Sequence, residues 1–159
     1  MPEALIVAAT RTPIGRAFKG ALVSMRPDDL AAIAIRSALG KVPALAPDSV
    51  EDVILGCAQP AGESGYNIAR VAGLLAGLHD VPGTTVNRYC SSSLQTIRMA
   101  YHAIKAGEGD VFVAAGVETV SRFEKGKSDG LPDTKNKLFI DGKLDIPNVY
   151  MAMGETAEK

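Results

Sequence analysis

Apolar residues fall along this chain in two rhythms, short unbroken runs and helical stripes, and the two alternate. The runs are Leu5-Ile6-Val7-Ala8-Ala9, Val53-Ile54-Leu55-Gly56-Cys57, Thr84-Thr85-Val86 and Asp110-Val111-Phe112-Val113-Ala114-Ala115-Gly116. A short run without polar alternation is the pattern of a strand covered on both faces. The stripes lie between them. Pro27 with Asp28 and Asp29 opens a helix, because proline suits the first turn and acids suit its positive end. In that helix Leu30, Ile33, Ala34 and Ala38 share one face, Ile35 and Leu39 crowd the other, and Gly40 and Pro43 stop it, so little of it is expected to be exposed. Asn67 is placed to cap a second helix, whose Ile68, Val71, Ala72 and Leu75 follow i, i+3, i+4, i+7 spacing. A third follows Cys90. Leu94, Ile97, Tyr101 and Ile104 form its apolar stripe, Gln95, Arg98, His102 and Lys105 its wet face, and Gly107 and Gly109 end it. Strands alternating with helices predict βαβ units, hence an α/β fold around a central sheet.

Two segments carry weaker patterns. Asp48-Ser49-Val50-Glu51 has capping-box spacing but runs into a strand, so it predicts only a short turn. After Ser121 the apolar rhythm stops. Residues 122–148 are rich in Lys, Asp, Gly and Pro and read as a long loop, and Tyr150 to Lys159 reads as the start of a helix. The Lys-rich stretch from 125 to 143 carries nearly as many acids as bases, which favours a solvated face or a subunit contact over a phosphate cradle.

Composition narrows the function classes. The chain has 159 residues, enough for one good core. At 47% hydrophobic and 22% charged it is of ordinary globular make-up. A net charge of −1, with no basic stripe and only 5% aromatic residues, argues against nucleic acid. No apolar run reaches the roughly 18 residues that a membrane span needs, and Met1-Pro2-Glu3-Ala4 has no signal-peptide character. Two cysteines make no disulfide framework, so a reducing cytoplasmic setting with free thiols is expected. No metal site is expected.

Cys90 is the candidate nucleophile. It lies where the run ending at Val86 meets the third helix, and a thiol at that turn sits beside unpaired backbone N–H groups and the positive end of the helix dipole. The thiolate is the nucleophilic form of cysteine, and the small residues after Cys90 leave room for a carbonyl substrate. The other candidates have plainer readings. Cys57, in an apolar run, reads as core. His102 lies on the wet helix face, and His79 follows a helix end as a dipole partner. Glu118, after a buried strand, reads as a structural hydrogen-bonding group. Ser91, Ser92 and Ser93 have no visible base, and no glycine pattern matches a nucleotide-binding loop.

These residues carry a family resemblance. Ala8-Ala9-Thr10-Arg11-Thr12-Pro13-Ile14-Gly15 with Gly20, Asn67-Ile68-Ala69-Arg70, Asn87-Arg88-Tyr89-Cys90-Ser91-Ser92-Ser93-Leu94-Gln95, Ala115-Gly116-Val117-Glu118-Thr119-Val120-Ser121 and Met153-Gly154-Glu155-Thr156-Ala157-Glu158 occur in an order that resembles the N-terminal part of the thiolases. That resemblance implies a mixed five-stranded sheet covered by helices, incomplete here. Residues 1–121 would supply most of the N-terminal domain and 122–159 the start of the loop domain, with the C-terminal domain absent. It implies an acyltransferase that cleaves or forms 3-oxoacyl-CoA through a thioester on Cys90, in fatty-acid or related lipid degradation. The backbone N–H of Cys90 would stand in an oxyanion hole and Met153 near the acyl pocket. CoA and acyl-CoA would be substrates, with no permanently bound cofactor, and the partners would be further copies of the chain in a homodimer or tetramer.

The chain departs from the family pattern in three places. Ser93 stands where many members have glycine, and its side chain is expected to narrow the pocket or crowd the helix turn. Ala152 stands where many biosynthetic members have histidine, which favours a degradative or longer-acyl member. Thiolases are also more than twice this length, with their activating histidine, second cysteine and oxyanion asparagine in the C-terminal half. The chain is therefore expected to be one piece of a longer polypeptide, inactive by itself. Two other readings stay open: a condensing enzyme of the same fold acting on acyl-carrier protein, and a non-catalytic binding or scaffolding subunit.

Overall fold

The computed structural model describes residues 3–125, 134–143, 146 and 148–158, and the chain divides into two compact units, Met1–Ser128 and Asp129–Lys159. Among the described residues the sheet has three strands, β1 (Asp52–Gly56), β2 (Gly83–Val86) and β3 (Phe112–Gly116), in the order β2-β1-β3. All pairings are parallel, with Val53 opposite Gly83 and Val113, and Gly56 opposite Val86 and Gly116. Five strands in a mixed sheet were the expectation.

The difference begins at the N-terminus. Leu5-Ile6-Val7-Ala8-Ala9 is not a strand in the described chain, and Leu5, Ile6 and Val7 are exposed. Its apolar character fits a strand, but no sheet edge pairs with it. One of its contacts is a side-chain one, from Lys41 Nζ to the Ala9 carbonyl at 2.5 Å.

Helices α1 (Pro27–Leu39) and α2 (Ile68–Leu75) cover one face of the sheet. Side chains alternate along a strand, so Val53, Leu55 and Cys57 point into this layer and pack with Ala31, Ile35, Ile68, Ala69, Ala72, Leu78 and Val81. The α1 boundaries fall where proline and glycine put them. Its inner face is Ala31, Ala32 and Ile35, however, and Ile33 turns outward at 41% exposure. In α2 the buried face is Ile68, Ala69, Ala72 and Gly73, while Leu75 is half exposed. Each helix sets one large side chain, Ile35 or Ile68, into the core among small residues.

The expected Asn67 cap is replaced by one from the sheet. Asn67 is left-handed (φ 56°) and does not cap α2. Thr85 Oγ1 of β2 accepts the Ala69 N–H at 3.1 Å and donates to Asn67 Oδ1 at 2.7 Å, while Asn67 Nδ2 donates to the Gly83 carbonyl at 2.7 Å. At the other end of α2 the Leu75 carbonyl accepts from the Arg36 guanidinium of α1 at 2.5 Å, and Arg70 ties down the loop that follows. Its guanidinium donates to the carbonyls of Leu78, His79 and Val81 at 2.7–3.1 Å.

Helix α3 (Ser92–Ala106) lies on the opposite face and ends at left-handed Gly107 (φ 77°). Its apolar stripe is inverted relative to the expectation. Ser92, Thr96 and Ala100 are buried, whereas Leu94, Ile97 and Tyr101 are 46–68% exposed. The reason is the strand pair beneath it. A Cβ at Gly56 would lie 2.5 Å from the Ser92 carbonyl carbon, and one at Gly116 would lie 2.6 Å from Ser93 Cβ. These facing glycines let the first turn of α3 settle on the sheet, and only small residues fit along that contact. Buried Thr96 donates to the Ser93 carbonyl at 2.7 Å, with the Ala115 carbonyl at 3.2 Å.

In the second unit, short helices α4 (Lys137–Ile140) and α5 (Met153–Ala157) interrupt the expected loop and supply the expected C-terminal helix start. Asn136 caps α4, accepting the Leu138 N–H at 3.0 Å. Much of the Lys-rich stretch, residues 126–133, lies outside the described residues.

Candidate active site

Strand β2 stops at Val86, a single 3-10 turn covers Tyr89–Ser91, and α3 starts at Ser92. Cys90 is in the middle of that turn, exposed and reduced. No side chain caps the N-terminus of α3 at Ser91, and although the Ser92 N–H is donated to the Tyr89 carbonyl, the positive end of the helix dipole lies beside Cys90.

The turn is strained and latched. Tyr89, directly before Cys90, has φ 45°, a left-handed conformation that a bulky side chain rarely adopts. Such conformations persist where the surroundings over-determine them. Here the Tyr89 N–H donates to Asn87 Oδ1 at 2.9 Å and the Tyr89 carbonyl accepts from Ser92 Oγ at 2.6 Å. Ser92 Oγ also accepts the Arg88 N–H at 2.9 Å, and the Arg88 guanidinium donates to Gln95 Oε1 at 2.6 Å. Ser92 is therefore a buried latch for the turn and not a nucleophile. Ser93 is exposed, with its Cβ above Gly116, whose missing side chain leaves room for it.

A second layer lies at the end of β1. Asn87 Nδ2 donates to the Ala58 carbonyl at 3.1 Å, and Glu118, just beyond β3, accepts the Ala58 N–H on its carboxylate at 2.7 Å. Burial pushes the Glu118 carboxyl up from its ordinary value, against the opposing pull of the Ala58 and Gln59 N–H groups. The Cys57 thiol is 1% exposed and is also pushed up, first by burial and then by the Glu118 charge. Both cysteines are free. His102 stands on the exposed side of α3, edge-on to Tyr101.

Sequence reasoning found Cys90 at its turn and gave Glu118 a hydrogen-bonding part. It missed Asn87 and Ser92. The signal for Asn87 was its place two residues before Tyr89, since asparagine commonly accepts from the backbone two residues on. Met153 begins α5 in the second unit and is 72% exposed. Among the described residues no three His, Cys, Asp or Glu side chains group as metal ligands, and no helix is long and apolar enough to cross a membrane.

A model of the thiolase N-terminal domain matches residues 4–159. The chain belongs to the thiolase family. It is 53% identical over 142 residues to the 3-oxoadipyl-CoA/3-oxo-5,6-dehydrosuberyl-CoA thiolase of Escherichia coli (strain K12), covering 87% of this chain and 35% of that protein. It is 45% identical over 169 residues to the β-ketoadipyl-CoA thiolase of Acinetobacter baylyi, covering 99% of this chain and 42% of that one. With the 3-ketoacyl-CoA thiolase of Bacillus subtilis it shares 43% identity over 160 residues, covering 100% and 39%. This thiolase domain thus spans 35–42% of the length of these curated relatives.

Proposed function

We propose that the polypeptide carrying this domain is a thiolase that transfers acyl groups between CoA and the carbon skeleton of 3-oxoacyl-CoA, with Cys90 as nucleophile. The observation that carries this reading is an exposed thiol in a strained, latched turn at the uncapped N-terminus of α3. Cys90 Sγ attacks the thioester carbonyl of an acyl-CoA and forms a new C–S bond. The old C–S bond breaks, and CoA leaves as the thiol with the proton that Cys90 gave up. In degradation Cys90 Sγ attacks the 3-oxo carbonyl of a 3-oxoacyl-CoA, the Cα–Cβ bond breaks, and acetyl-CoA leaves with the proton that Cys90 gave up on its α-carbon. CoA thiol then carries the acyl group off and its proton returns to Cys90. The Cys90 backbone N–H is a donor to the oxyanion of these steps.

The relatives' names, 3-oxoadipyl-CoA, β-ketoadipyl-CoA and 3-ketoacyl-CoA thiolases, support a 3-oxoacyl-CoA ester as substrate. They favour CoA over carrier-protein substrates. CoA esters enter as substrates, and no resident cofactor is needed. The enzyme works in the cytoplasm as a dimer or tetramer. The exposed stripe Leu94, Ile97, Tyr101 supports further polypeptide covering α3.

The test is acylation of the full-length protein by acetyl-CoA, read by intact mass and peptide mapping, alongside thiolysis of 3-oxoadipyl-CoA and a 3-oxo fatty acyl-CoA. One acetyl group on the Cys90 peptide, lost in Cys90→Ser, is expected. A protein that takes no acyl group, or takes it elsewhere, sinks the proposal. The faster of the two thiolysis substrates identifies the chain-end preference.

A further inference from the structure

The hydrogen bonds behind Cys90 form a chain that starts well outside its own turn. Glu118 lies past the end of β3, on the far side of β1 from β2. Its carboxylate accepts the Ala58 N–H at 2.7 Å. The carbonyl of the same residue accepts from Asn87 Nδ2 at 3.1 Å, and Asn87 Oδ1 accepts the Tyr89 N–H at 2.9 Å. Tyr89 is the residue whose φ of 45° aims Cys90. We infer that Glu118 is a positioning residue for acyl transfer, acting through Ala58 and Asn87 to hold the Cys90 turn in its strained form.

Two features favour this over a merely structural carboxylate. Each link joins a different segment, so the chain ties the ends of β1, β2 and β3 to one peptide unit. Asn87 uses both ends of its amide, the N–H group toward Ala58 and the oxygen toward Tyr89, so its rotation is fixed only while the Ala58 carbonyl is fixed. A strained turn held by directional bonds loses its aim when one bond is lost, and small misplacements of reacting groups cost about a hundredfold in rate.

This inference rests on the acyl-transfer reading of Cys90, and the experiment separates the two. Single-turnover acetylation of Cys90 by acetyl-CoA is measured on full-length wild type, Glu118→Gln, Glu118→Ala, Asn87→Ala and Glu118→Ala/Asn87→Ala. Alkylation of Cys90 by iodoacetamide, which needs no oxyanion donor, is measured on the same samples. Acetylation is expected to fall at least about tenfold in Glu118→Ala, while alkylation changes less than about threefold. Glu118→Gln keeps one acceptor for the Ala58 N–H and is expected to recover part of the loss. The double variant should fall no further than the worse single, because both interrupt one chain. If Glu118→Ala does not fold, the same cycle with Glu118→Gln in its place decides. Effects of the two singles that multiply in the double, acetylation within twofold of wild type in every Glu118 variant, or acetylation and alkylation falling together, overturn the positioning role alone. A wild type that acquires no acetyl group overturns the Cys90 reading and this inference with it.

Discussion

Cys57 and Cys90 are chemically identical side chains that the fold sends to opposite fates. Cys57 follows the central strand with 1% of its surface accessible, and burial and Glu118 together disfavour its thiolate. Cys90 stands in solvent at a helix start. Peptide mapping after iodoacetamide treatment near neutral pH should therefore show Cys90 modified at least about tenfold faster than Cys57, whose reaction requires local opening. Comparable rates would mean that the sheet end is open. The raised folded-state value of Cys57 also fixes a sign. An unfolded chain gives up this proton at about 9.0, before the folded chain does. The Cys57 contribution to stability is thus whole below that pH and is lost as pH rises above it. Urea midpoints should decline across about pH 8 to 10, and Cys57→Ala should flatten that decline. The two glycines under α3 are the other residue-scale determinants. Gly56→Ala sets a methyl group against backbone, which cannot yield as a flexible side chain would. Destabilisation of about 1–3 kcal/mol is expected, measured by urea unfolding.

At the scale of elements, capping across the sheet makes α2 depend on β2. Thr85→Val removes both the acceptor for the Ala69 N–H and the donor to Asn67, so it should cost about 1 kcal/mol, with Thr85→Ser retaining most of it. Equal stability of the two variants would show that the hydroxyl is idle. Such a cap is invisible to a scan of local spacing, because Thr85 and Ala69 belong to different elements. The starts and stops were legible: Pro27 and Gly40 for α1, Gly107 for α3, and the apolar runs of β1 and β3. So was the turn that carries Cys90. Which face each helix buries was not legible. Periodicity weights residues by hydrophobicity, and on that measure Leu94, Ile97 and Tyr101 mark the inner side of α3. The inner side is Ser92, Thr96 and Ala100, chosen by the approach distance that Gly56 and Gly116 set. Small residues recurring at four-residue spacing, opposite glycines in two strands, were the available signal. Leu5 to Ala9 failed for a different reason: composition supplies a strand but not a neighbour to pair with.

On the scale of the whole molecule, the domain carries a large apolar stripe in solvent while its net charge is only −1. Little electrostatic repulsion opposes association through such a surface. The 159-residue chain expressed alone should bind a hydrophobic dye and scatter light increasingly with concentration, and Leu94→Lys with Ile97→Lys should suppress both. In the full-length protein the same pair should lower the thermal midpoint, because the stripe is then covered. Behaviour that is the same in the two contexts would show that nothing packs on α3.

The facing glycines also have a consequence in time. Gly56 precedes Cys90 in the chain and Gly116 follows it, so the seat for the start of α3 is half-built when the cysteine is made. Chains grow at about 5 to 20 residues per second, so a nascent Cys90 waits roughly one to six seconds before Gly116 and Glu118 are joined to it. During that interval the thiol exists without the glycine seat and the Glu118 link that settle its turn, so the turn takes its final form only after the whole of α3 has been made.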